Sequence, residues 1–105
     1  MKIAITSTGN TLDSTIDERF GRCTYFVVYD TESKSTKFVL NTNKEAQEGA
    51  GPASVQLVAS EEVNEIVSGE FGTKIKSLLD SLNIKMTIMK EHDKKISEII
   101  EMYNH

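Results

Sequence analysis

The sequence predicts an α/β domain built on a mixed five-stranded sheet. Three observations carry this expectation. Short β-branched and aromatic runs alternate with apolar stripes of helical period, in the order βββαβαβα. The first three strands come before any helix, as in an antiparallel meander. The last two strands each follow a helix, which calls for right-handed crossovers and parallel pairing with the first. The expected sheet order is 3-2-1-4-5, with helices packed on it.

Residues 2–6 read as a short buried strand. Residues 7–23 hold no sustained period and carry Gly9, Asn10, Asp13, Asp17 and Gly21, so they read as a long excursion. Residues 24–30 are aromatic and β-branched, a second strand. A polar turn at 30–35 leads to a return strand over 36–41. A second polar loop, 42–51, ends in Glu48-Gly49-Ala50-Gly51. Pro52 is expected at the first helical position, where its missing N–H costs nothing. Ala53, Val55, Leu57, Val58 and Ala59 give that helix an apolar side. Val63, Ile66 and Val67 suggest a fourth strand, and Gly69-Glu70-Phe71-Gly72 a turn. Ile75, Leu78, Leu79 and Leu82 then fall at helical spacing, with Asn83 as the stop. Ile84, Met86 and Ile88 alternate as a fifth strand. Ile96, Ile99, Ile100 and Tyr103 mark a last helix, with Asp93 as its expected cap.

The chain has 105 residues, the size of one domain. Its 38% hydrophobic and 27% charged residues support one core, not two. A net charge of −4 argues against broad nucleic-acid binding, which needs a basic face. The lone cysteine, Cys23, forms no intrachain disulfide. The apolar run at the N-terminus is too short for a signal peptide, and none approaches the roughly 18 residues of a membrane span. The expected location is therefore the cytoplasm.

The topology places a site before any residue chemistry is considered. Strand one ends at one edge of the sheet, here called the top. The 7–23 excursion leaves and returns there, and loop 42–51 and the 69–72 turn also lie there. Strand order reverses around strand one, and open α/β sheets bind ligands at such a crevice.

The densest cluster at that edge is Asp17-Glu18-Arg19-Phe20-Gly21-Arg22-Cys23. Its guanidinium groups suit an anion, its glycine permits close backbone approach, and its thiol could donate a thiolate to a metal. The alternative is that Arg19 and Arg22 pair with Asp13, Asp17 or Glu18, while Cys23 is a small apolar residue opening a strand. Gly49 and Gly51 precede a helix start, where backbone N–H groups can meet an anion; the alternative is a flexible loop. Gly69 and Gly72 allow a tight turn, or the approach of a ligand.

His92 and His105 read as surface residues, not as a metal pair. Met86, Met89 and Met102 read as packing residues, and Lys94 and Lys95 as a solvated helix start. No hydrolytic set accompanies Ser7, Thr8 or Ser14 in sequence. The sheet order resembles that of ribonuclease H, but strand one lacks the carboxylate that magnesium-dependent nucleases carry there.

Four segments together resemble the dinitrogenase iron–molybdenum cofactor-binding family, the family of NifX and the NifB C-terminal domain. They are Lys2-Ile3-Ala4-Ile5, DERFGRCTYF from Asp17, EGAGPASVQLVAS from Glu48, and IVSGEFGTKIKSLLDSLNIKM from Ile66, and the likeness spans roughly residues 2–90. It implies a ribonuclease H-like three-layer fold and no catalysis. It also implies an iron–molybdenum or other metal–sulfur cluster as ligand, with cluster donor and acceptor proteins as partners. By match, Arg19, Phe20, Gly21, Arg22 and Cys23 would face the cluster pocket, and Gly49, Gly51 and Gly69 would close it. Family members often carry a histidine just before the Phe-Gly pair, where this chain has Arg19.

The leading expectation is thus a non-catalytic cluster carrier, with Cys23 as metal ligand and Arg19 and Arg22 balancing anionic charge. The alternative is a binding module for a small anionic metabolite or a protein partner, without metal.

Overall fold

The computed structural model describes residues 1–104. His105 lies outside the described residues. The elements are β1 (Lys2–Ser7), β2 (Tyr25–Asp30), β3 (Thr36–Leu40), α1 (Ala50–Ala59), β4 (Glu65–Ser68), α2 (Thr73–Ser81), β5 (Lys85–Ile88) and α3 (Ile96–Met102). The sheet runs β3-β2-β1-β4-β5, as expected from sequence. β1 pairs antiparallel with β2 and parallel with β4; β2–β3 is antiparallel and β4–β5 parallel.

Side-chain alternation along the strands builds two cores. On one face, Ala4, Phe26, Val28 and Ile66 meet Val55 and Val58 of α1 and Ile75 and Leu79 of α2. On the other, Ile3, Ile5, Val27 and Val67 meet Ile96 and Ile99 of α3. The architecture is therefore three-layered. β1 and β4 are covered on both faces, so their residues are buried almost throughout, with an apolar run in β1 and two central aliphatics in β4. β3 and β5 are edge strands and stay partly exposed. No helix among the described residues is long and apolar enough to cross a membrane.

One buried carboxylate anchors the α3 layer. Glu65 Oε2 accepts from the Thr87 hydroxyl at 2.6 Å and from the Tyr103 hydroxyl at 2.5 Å. Burial, and then the bond to Glu65, hold the Tyr103 proton more tightly than usual.

Three local expectations are corrected. Pro52 is the third residue of α1, since that helix begins at Ala50. A proline is tolerated there because the first turn's N–H groups have no intrahelical acceptor. Asp93 does not cap α3. Glu98 instead accepts from the Lys95 N–H at 2.9 Å, and the carbonyls of Ser14 and Leu12 accept from Ile96 and Ser97 at 2.9 and 3.0 Å. The first half of the long excursion thus closes the start of α3. Met102 is not a packing residue but is 49% exposed, whereas Met89 is buried.

Ile99 has no exposure and sits at the centre of the α3 core. Ile99→Ala is expected to lower unfolding free energy by about 2–5 kcal/mol through lost burial and a residual cavity. Urea denaturation followed by circular dichroism checks this; a loss below about 1 kcal/mol would mean that α3 contributes little to the core.

Candidate pocket at the top edge of the sheet

The long excursion is pinned where it crosses the sheet. Asp17 N–H donates to the Thr6 carbonyl at 3.0 Å, and the Thr6 hydroxyl returns a bond to the Asp17 carbonyl at 2.8 Å. Gly69 N–H donates to the same Asp17 carbonyl at 3.3 Å. The chain at 17–18 therefore lies across the ends of β1 and β4. A Cβ on Gly69 would sit 2.5 Å from the Glu18 Cα, so only glycine permits this crossing. The Asp17 carboxylate then turns the chain by accepting from the Arg19 N–H at 2.9 Å.

Beyond that turn the residues separate by role. The Phe20 ring is buried, tilted against Phe26 at 5.6 Å and stacked on Phe71 at 5.5 Å. It ties the excursion to the 69–72 turn. A Cβ on Gly21 would lie 3.0 Å from the backbone of Gly51, so excursion and helix start touch directly. Arg22 Nη1 donates to the carbonyl of Lys44 at 3.0 Å and to that of Ala46. Arg19 is half exposed, with Nε 3.6 Å from Asp17 Oδ1 and Nη2 3.4 Å from the Arg22 carbonyl.

These segments enclose a pocket of about 450 Å³. Arg19, Phe20, Gly21, Arg22, Gly49 and Gly51 line it, with Glu48, Glu70 and Ile75 among the rest. Gly49 adopts φ 70°, a left-handed conformation that favours glycine, and supplies no side-chain cap to α1. The first turn of α1 holds no acidic residue, and Pro52 has no N–H. The amides of Ala50 and Gly51, both in the lining, have no intrahelical acceptor, so the positive end of the helix dipole borders the pocket. Glu48 and Glu70 offset the two arginines in formal charge. The lining therefore offers local hydrogen-bond donors rather than a strong net field.

The expectation that Cys23 and Gly69 border this pocket is corrected. Gly69 serves the chain crossing, as above, and is absent from the lining. Cys23 has no exposure and packs with Phe20, Phe26 and Val55. Its thiol donates to the Phe20 carbonyl at 3.4 Å. Burial above all, and then the Asp17 charge, push the thiol up to about 12. Near neutral pH it is a protonated core residue, not an available thiolate.

A second, polar hollow of about 320 Å³ involves Asp17, Glu18, Arg19 and His92. His92 Nδ1 lies 2.9 Å from Glu18 Oε1, and both side chains are largely exposed. Among the described residues, no group of three or more His, Cys, Asp or Glu side chains is placed to hold a metal ion. Sequence reasoning missed Ile75, which serves as pocket wall as well as core, and missed Asn41 and Ser54 behind the wall.

The open α/β sheet carries its pocket at the strand ends, beside the central strand, the place where sheets of this architecture commonly take ligands. The chain belongs to the dinitrogenase iron–molybdenum cofactor family, whose sequence profile matches residues 1–105. It is 30% identical to an uncharacterised protein of Methanocaldococcus jannaschii, over 98% of this chain and 85% of that one. Among solved structures, the apo form of the orange protein from Desulfovibrio gigas superposes with a TM-score of 0.90 at 27% identity, covering 97% of this chain and 85% of the other. A NifB-like protein from Thermotoga superposes at 0.82 with 32% identity and the same coverage.

The buried thiol gives a pH prediction. Its pKa in the folded state, about 12, lies above the ordinary value of 9.0, so the native state keeps the proton longer than the unfolded state. The contribution to stability is complete below about pH 9 and is lost as pH rises towards 12. Native protein is expected to resist a thiol-alkylating reagent at pH 8 and to react stoichiometrically in denaturant. Rapid modification of native protein would mean that Cys23 is accessible.

Proposed function

We propose that this protein is a cytoplasmic, non-catalytic carrier of an anionic metal–sulfur cluster, of the iron–molybdenum type or a relative of it. The top-edge pocket is its seat, and other proteins load and unload it. The carrying observation is the convergence of Arg19, Arg22 and the uncapped start of α1 on one pocket. Membership of the dinitrogenase iron–molybdenum cofactor family supports the class of cargo.

The lining suits a cluster that brings its own sulfide ligands better than a bare metal ion. It offers guanidinium and amide donors, and the chain's one thiol is shut behind Phe20. In this reading Arg19 moves towards the anion from its long contact with Asp17, and Arg22 holds loop 42–49 while presenting charge. Gly21, Gly49 and Gly51 let backbone approach the cargo closely. Cys23 acts in packing and not as a ligand.

Anaerobic titration with isolated iron–molybdenum cofactor and with thiomolybdate tests this, reading visible absorbance and bound metal after gel filtration. Stoichiometric binding is expected, weakening as salt rises because the charges are partly exposed. Arg19→Ala is expected to weaken it about three- to tenfold, and Glu48→Gln to strengthen it by about twofold or more. Cys23→Ala is expected to leave affinity within about twofold, provided the protein stays folded. A large loss in Cys23→Ala alone would reinstate the thiolate as ligand.

A second reading, a seat for a small anionic metabolite without metal, is favoured by the lack of any exposed soft donor in the lining. Failure to bind any cluster, together with thermal stabilisation by a phosphate-bearing compound, would select it.

A further inference from the structure

We infer that Asn41 is the positioning residue that holds the walls of the top-edge pocket in register. The inference rests on the reading of that pocket as the binding site. Asn41 follows β3 and is 3% exposed, yet it does not line the pocket. Its side-chain amide has two donors and two acceptor positions, and the structure uses all four. Nδ2 donates to the carbonyl of Gly21 at 3.1 Å and to that of Cys23 at 3.0 Å. Oδ1 accepts from the Asn43 N–H at 3.1 Å and faces the Ser54 hydroxyl at 3.4 Å.

These four partners belong to three different pieces of the wall. Gly21 and Cys23 are the excursion that carries Arg19 and Arg22. Asn43 opens the loop that runs to Gly49. Ser54 is on α1, is fully buried, and its hydroxyl also lies 3.4 Å from the Gly21 carbonyl. One side chain therefore joins the arginine segment, the glycine loop and the helix from behind. Arg22 makes the complementary tie through the carbonyls of Lys44 and Ala46.

The chemistry admits no ready substitute. Partners on the Nδ2 side are carbonyls, which need a donor; the backbone partner on the Oδ1 side is an N–H, which needs an acceptor. Aspartate has the same shape but would turn a carboxylate oxygen towards two carbonyls, that of Cys23 buried and that of Gly21 part-buried. Alanine would leave the buried Cys23 carbonyl without its side-chain donor and the Gly21 carbonyl with only the long contact to Ser54. Asn41 thus acts on cargo through the geometry of other residues.

The test compares wild type with Asn41→Asp, Ser54→Ala and Ile99→Val. The last is a mild destabilisation on the opposite face of the sheet. Two quantities are read: amide hydrogen exchange of the ligand-free protein by NMR, and affinity for tetrathiomolybdate. Asn41→Asp is expected to speed exchange at Asn43, Lys44 and Ala46 by about tenfold or more while β1 and β4 keep their protection. Affinity should fall about tenfold. Ser54→Ala should show a smaller effect at the same amides, and it carries the test if Asn41→Asp does not fold. Ile99→Val should leave both readouts near wild type.

Exchange unchanged at 43–46 in the folded Asn41 variant, or in Ser54→Ala if only that folds, overturns the inference. So does acceleration spread evenly over the sheet. If wild type binds no tetrathiomolybdate while loop exchange still accelerates selectively, the pocket's assignment to this cargo is at fault and the role of Asn41 in its walls stands.

Discussion

The three bonds that join Asp17 to Thr6 and Gly69 fix where the longest irregular segment crosses the sheet. They add to the contacts of Ser14, Phe20 and Arg22 in restricting the paths open to residues 8–24. With them, the excursion is divided at one point. Its first half closes the start of α3 on one face of the sheet, and its second half delivers residues 19–22 to the other. The missing side chain at Gly69 is what allows the backbone of Glu18 to lie so close to β4. One steric condition, set at the junction of β1 and β4, thus helps decide the position of the pocket.

The two faces of the sheet then divide the remaining work. The α3 face is closed by aliphatic packing and by the Glu65, Thr87 and Tyr103 contacts, and it carries no part of the pocket. The other face supplies a buried layer from Phe20 to Leu79 on which the pocket rests. Ile75 belongs to both, as its side chain packs in that layer and borders the opening. Polar groups behind the wall are all matched: no buried side-chain nitrogen or oxygen among the described residues lacks a partner. A pocket assembled from loops is therefore backed by a closed hydrogen-bond set, which leaves its walls ordered in the absence of any occupant.

Most of the fold could be read from sequence because burial imposes period. Ile75, Leu78 and Leu79 mark a helix, and the near-continuous apolar run of β1 marks a strand covered on both faces. Strand directions alone bring the excursion, loop 42–51 and the 69–72 turn to one edge, and Arg19, Arg22, Gly49 and Gly51 line a pocket there. The direction of Cys23 could not be read. Continued from β2, the two-residue alternation would put it beside Tyr25 and Val27, on the α3 face. It lies before the strand begins, where that period does not hold, and it turns instead towards Phe20 and Phe26. Asn41 was equally hidden. An asparagine after a strand looks like an ordinary turn residue, and its importance comes from partners 13 to 20 positions away in sequence.

The enclosed sulfur of Cys23 has one further consequence. Compounds rich in sulfide exchange readily with free thiols, and oxidants convert exposed thiols to mixed disulfides. The surface of this chain presents no thiol of its own to take part in either reaction. Whatever enters the pocket meets amides, carboxylates, guanidinium groups and hydrocarbon, and no protein sulfur. Its departure is then governed by how fast non-covalent contacts open, and no bond to protein sulfur has to be broken.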